Sequence, residues 1–120
     1  MSPRRWEERI QDILDAIAEI RSFVSTMEFI DFKNDIKTMR AVELNFIIIG
    51  EAANAIPEEV QKAYPQIAWQ LMSGMRNRLV HTYFWVSPQI LWDTIQQDLP
   101  SVVESLEKVL RDRKQQNNPI

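Results

Sequence analysis

Between positions 76 and 83 the chain sets two arginines, an amide, an imidazole and a phenol in a row: Arg76-Asn77-Arg78-Leu79-Val80-His81-Thr82-Tyr83. The sequence holds 1 histidine, His81, and histidine is the side chain that takes and gives protons near neutral pH. Arginine stays charged and presents a planar fork of donors that matches phosphate oxygens. Together these groups form a local kit for holding an anion and moving protons beside it. Spacing limits the kit. Asn77 and His81 stand four apart and share a helical face. Arg76 and His81 stand five apart and diverge by roughly 140° on an ideal helix. The two can converge on a ligand entering between them, or on one held by a second subunit. A lone histidine on a helix is more often a packing or surface residue; its neighbours single this one out.

Composition narrows what the kit can serve. The net charge is −3, so the broad basic surface of an indiscriminate nucleic-acid binder is missing. Nucleic-acid contact must be local and built on a few placed arginines. There are 0 cysteines, which removes disulfides and thiolate metal sites. The sequence shows no metal-ligand cluster, no glycine-rich phosphate loop and no Ser-His-Asp order, so neither a metal nor a cofactor is expected. The start is polar and charged (Met1-Ser2-Pro3-Arg4-Arg5), without the apolar core of a signal peptide. The most apolar stretch, Asn45 to Gly50, is far short of the about 20 residues that cross a bilayer. These features suit a soluble protein of the reducing cytoplasm, with no membrane partner.

The elements that must position the kit are helical. With 2 glycines among 120 residues, the chain cannot supply the tight turns of an all-β fold. At this length it reads as one domain over 1–110, followed by a polar stretch, 111–120, expected to fray. Trp6, Ile10, Ile13, Ile17, Ile20, Val24 and Met27 alternate steps of four and three, a period of about 3.5 that marks a bundle seam. Ser2 and Pro3 are suited to start that helix. Glu28 to Asn34 reads as a polar, aromatic-dotted connection. A second helix spans about Asp35 to Ala55, and its all-round apolar run from Phe46 to Ile49 predicts burial from more than one direction. Pro57 starts a short helix, and another begins near Ala68 and carries the kit. Ser87-Pro88 opens the last helix, whose apolar positions keep phase across Pro100 and so predict a proline kink rather than a break. The expected architecture is all-α: an antiparallel bundle of about four long helices plus one short one.

At Arg76 to Tyr83 the sequence resembles the R-x4-H-x-Y signature of HepT-like toxins, which belong to the HEPN class. The flanking blocks fit as well: Ile49-Gly50-Glu51-Ala52-Ala53-Asn54, Tyr64-Pro65-Gln66-Ile67-Ala68-Trp69, Gly74-Met75, then Trp92 and Asp98-Leu99-Pro100. The likeness is close over about 46–110 and rests on pattern alone in the first helix. It implies a helical bundle, a symmetric homodimer and metal-independent endoribonuclease activity. It also implies a cognate antitoxin, a small MNT-type nucleotidyltransferase that adds AMP to Tyr83.

The residues suit that chemistry. An RNA strand can be cut by its own 2′-OH attacking the adjacent phosphate. The protein must then take the 2′-OH proton, protonate the leaving 5′ oxygen and stabilise the phosphorane. His81 suits either proton role and Arg76 the third. One imidazole cannot readily be base and acid together, whereas a two-fold axis would bring a second Arg76–His81 pair into one cleft. Asn77, Arg78 and Glu51 are supporting candidates. Arg78 fits an RNA phosphate contact or a solvated charge equally well. Glu51 fits an orienting partner for an arginine or a structural ion pair. Tyr83 by itself reads as an aromatic anchor, and Trp69, Phe84, Trp85 and Trp92 as core or dimer contacts. Two rival readings stand beside the enzyme. One is a HEPN-type module that binds RNA, a nucleotide or the nucleotidyltransferase without cutting; the other is a purely structural helical dimer.

Overall fold

The computed structural model describes residues 5–81 and 86–116. Those residues form an all-α antiparallel bundle: α1 (Trp6–Val24), α2 (Phe29–Lys33), α3 (Ile36–Asn54), α4 (Glu58–Ala63), α5 (Trp69–His81), α6 (Pro88–Asp93), a π-helical turn (Thr94–Asp98) and α7 (Leu99–Gln116). Helix α3 is central and packs on α1 and α5, while α7 lies against α1. The α1 seam does what its period predicts. Ile10, Ile13, Ile17 and Ile20 are wholly buried, Val24 nearly so, and Trp6 and Met27 pack at the margin of the core. Helix α1 begins at Trp6 with Arg5 as its N-cap, and no side chain caps it; Ser2 and Pro3, expected at its start, lie outside the described residues.

Helix α3 starts where Asp35 caps it. One carboxylate oxygen accepts from the Thr38 backbone N–H at 3.1 Å and the other from the Thr38 hydroxyl at 2.8 Å. These bonds satisfy one of the orphan donors at a helix start. They also hold the Asp35 carboxyl below its ordinary pKa, the Thr38 backbone bond contributing most. The apolar run in α3 is only half covered. Phe46 and Ile49 are buried, but Ile48 is 42% exposed and Leu44 58%. The run is buried from two directions, by α1 and α5, and Ile48 is left exposed because α3 has neighbours along only part of its circumference.

Three features depart from the sequence expectation. The connection after α1 contains α2, a helix of one turn. Glu28 and Asp31 exchange side-chain-to-backbone bonds across it in a capping box, a pattern usually written with Ser or Thr at the cap. Its Phe32 is wholly buried and tilts against Trp92, ring centres 5.4 Å apart. The irregularity near Pro100 is a π-helical turn. Leu99 N–H donates to Thr94 O, five residues back, and the Thr94 hydroxyl donates to Ile90 O at 2.7 Å. Proline lacks an N–H and its ring clashes with the carbonyl four residues earlier. Widening the preceding turn accommodates it without breaking the helix. Finally, α7 continues through Gln116, well into the segment expected to fray. Arg113 explains this: its guanidinium lies 5.3 Å over the Trp6 ring and 3.6 Å from the Glu7 carboxylate, docking the last turns on α1. No helix among the described residues is long and apolar enough to cross a membrane.

Candidate active site

Helix α5 carries the candidate residues, and α3 holds α5 in place. Its core side, Trp69, Met72 and Met75, is buried, and the Trp69 indole N–H donates to Tyr64 O at 3.0 Å, fixing the helix start. Two polar pairs set the register against α3. The Ser73 hydroxyl donates to Asn54 Oδ1 at 2.7 Å, and one turn further on Arg76 reaches Glu51. Asn54 precedes Ser73 as Glu51 precedes Arg76, in opposite directions along the two helices, so α3 and α5 run antiparallel. That register sets Ile48 level with Leu79 and Val80.

Arg76 is the organised residue of the site. Its Nε donates to Glu51 Oε1 at 2.9 Å, and Nη2 stands 2.8 Å from the same oxygen. Nη1 donates to Asn77 Oδ1 at 3.0 Å. Of the five N–H donors on a guanidinium, two have no partner among the described residues and face an incoming anion. The Arg76 side chain is 23% exposed and Glu51 56%, so the pair stands at the surface with the arginine stem sunk between the helices. An ion pair this exposed adds little stability. What it provides is orientation: a long side chain held in one geometry before any ligand arrives.

The structure thus brings Glu51, Arg76 and Asn77 into one hydrogen-bonded cluster. Arg78 is exposed on the next step of the helix, and His81 is exposed at its last residue. Arg78 and His81 sit in the final turn of α5, where the helix dipole favours positive charge. Tyr83, with Thr82, Phe84 and Trp85, lies outside the described residues. No group of three His, Cys, Asp or Glu side chains among the described residues is arranged to hold a metal ion. On the far side of Glu51 a groove between α1 and α3 is walled by Asp12, Asp15 and Glu19, with Arg9 as its one basic group. An anion meets like charge there, so the approach to Arg76 is from the α5 side. Sequence reasoning did not single out Gly50. A Cβ built on it would stand 2.1 Å from the Cβ of Arg76. The signal was a glycine inside the helix, directly after its most apolar run and beside an acidic residue.

Comparison with known proteins shows the family. The family model described as "Ribonuclease HepT-like" matches residues 13–109. The chain is 39% identical over 106 residues to a Thermococcus cleftensis protein described as "Probable ribonuclease HepT", covering 88% of this chain and 96% of that one. It is 34% identical over 103 residues to a Methanocaldococcus jannaschii protein described as a "Putative RNase", covering 86% and 85% of the two chains. No solved structure matches. With a family model spanning most of its length and relatives matched nearly end to end, the chain belongs to the HepT-like ribonuclease family.

Proposed function

We propose that the protein is a metal-independent endoribonuclease, the toxin of a HEPN/MNT toxin–antitoxin pair, cutting RNA in a cleft shared by two subunits. The observation that carries this reading is Arg76, pre-oriented by Glu51 and Asn77 and presented on the same short helix as the exposed His81. In the reaction, the 2′ oxygen of one nucleotide attacks the adjacent phosphorus while an imidazole takes its proton. The bond to the 5′ oxygen breaks as a second proton donor delivers a proton to it. The products are a 2′,3′-cyclic phosphate and a free 5′-OH. The charge that builds on the phosphorane is met by the two unused N–H groups of Arg76, already in position. Arg78, two residues on, assists with a neighbouring phosphate.

Two roles for one imidazole support the composite cleft, and so does the surface beside it. Leu44 and Ile48, one turn apart on α3, and Val80 on α5 are 58%, 42% and 45% exposed. The α3–α5 register sets Val80 level with Ile48, on the two helices that hold Arg76. A second copy seated on these residues would cover them and bring a second Arg76 and His81 near the first. The partner antitoxin, an MNT-type nucleotidyltransferase, acts by adding AMP to Tyr83. A bulky anion there would occupy Arg76 and repel RNA.

The test is inducible expression without the antitoxin. Wild-type protein should arrest growth and fragment total RNA, whereas His81→Ala and Arg76→Ala should do neither while accumulating as folded protein. Growth arrest that persists in both variants would replace this reading with that of a non-cleaving binding module.

A further inference from the structure

We propose that Gly50 is a positioning residue for Arg76: its missing side chain is the seat on which the arginine stem rests, a role that rests on the ribonuclease reading above. Glycine inside a helix is normally unfavourable beside alanine. No glycine among the described residues has a positive φ, so backbone freedom does not explain its presence in α3. Space does. A Cβ at Gly50 would lie 2.1 Å from Arg76 Cβ, 2.8 Å from Arg76 Cγ and 2.9 Å from the Met72 carbonyl oxygen. One of those neighbours is backbone and the others are the root of a side chain, so none can swing aside cheaply.

The consequence reaches the guanidinium. With its Cβ and Cγ laid on the α3 backbone, Arg76 extends past Gly50 and meets Glu51, the very next residue of α3, through Nε and Nη2. Seat and latch are consecutive residues. A methyl group at position 50 pushes α5 away or turns the Arg76 stem, and the tip then leaves the Glu51 oxygen. Gly74, on α5 itself, is the internal control: among the described residues nothing lies within 4 Å of a Cβ built there.

The experiment compares Gly50→Ala, Gly74→Ala, Arg76→Gly and the double variant Gly50→Ala/Arg76→Gly. It reads kcat and KM on RNA, the Arg76 Nε–H resonance by NMR, and the melting temperature. Gly50→Ala should lower kcat by on the order of 10²-fold, as misplacements of about 1 Å can do, with a smaller change in KM. It should also collapse the Arg76 Nε–H signal toward that of a free arginine. Gly74→Ala should keep kcat, KM and that signal and should melt no lower than wild type. Gly50→Ala should also lower the melting temperature far less in the Arg76→Gly background than in the wild type, because the stem it collides with is gone. This comparison decides the matter even if Gly50→Ala alone does not fold. Equal losses in the two backgrounds, or an unchanged Nε–H signal in folded Gly50→Ala, overturns the proposal. A wild-type protein that cleaves no RNA overturns the ribonuclease reading instead, and leaves the melting and NMR results to judge the seat.

Discussion

At the scale of single residues, little of the Arg76 guanidinium is left to chance. Three of its donors are committed to Glu51 and Asn77 before any RNA arrives, so the remaining two are aimed rather than searching. On the proposed mechanism Arg76→Ala removes a charge that works mainly in the transition state, and His81→Ala removes a proton carrier. Each should lower kcat by about 10²–10⁴-fold with the fold intact, measured by cleavage kinetics beside circular dichroism. Arg76→Lys should restore little, since an ammonium cannot grip Glu51 through two nitrogens and still present a fork. Glu51→Gln should cost less than either alanine variant, because the amide oxygen still accepts from Nε; equal losses would show that Glu51 handles substrate itself. The sequence made Arg76, Asn77, Arg78 and His81 candidates because they crowd into one short stretch. It could not join Glu51 to Arg76, twenty-five positions away, without the register of two helices. That register depends on the Ser73–Asn54 bond and on the gap at Gly50, which no local pattern announces.

At the scale of elements, legibility followed the strength of the local signal. The α1 seam was readable because seven apolar residues repeat at bundle spacing, and α6 because Ser87 accepts from the Ile90 N–H, with Pro88 at the first helical position. Helix α2 was missed because Glu28 and Asp31 do the capping that Ser or Thr usually signals. The π-helical turn was missed because apolar phase alone cannot tell a kink from a widened turn. Both are structural, and α2 is tied to the core by one residue: Phe32→Ala empties a wholly buried site and should cost about 3–5 kcal/mol in denaturant unfolding. The α3 cap has a pH signature. Its bonds favour ionised Asp35, whose pKa is lower folded than in the unfolded chain. The stability it contributes is therefore present above the ordinary aspartate range and lost as pH falls through the lower, folded value. Asp35→Ala should melt below wild type at neutral pH, and the two melting curves should converge in acid. A gap that stays constant across that range would assign the loss to packing rather than to the charged cap.

At the scale of the whole molecule, the unmatched feature is an apolar strip beside an incomplete set of proton carriers. Leu44, Ile48 and Val80 are exposed, and the proposed reaction needs a base and an acid where the sequence holds one histidine. The proposed second copy would answer both. Light scattering at micromolar concentration should give twice 14.2 kDa, and Ile48→Glu should give a folded monomer with little cleavage; a monomer that cuts at full rate contradicts the shared cleft. Co-expression with the nucleotidyltransferase should add AMP mass to the wild type and none to Tyr83→Phe, read by intact-mass spectrometry. Neutralisation of an unmodified protein would point to sequestration. The chemistry proposed for Arg76 and His81 is written in the termini of its products. Purified protein should cut RNA in EDTA to leave 2′,3′-cyclic phosphate and 5′-OH ends, and should leave intact a substrate carrying a single 2′-deoxy nucleotide at the scissile position. Ends bearing 3′-OH and 5′-phosphate, or cleavage of the deoxy substrate, would contradict it.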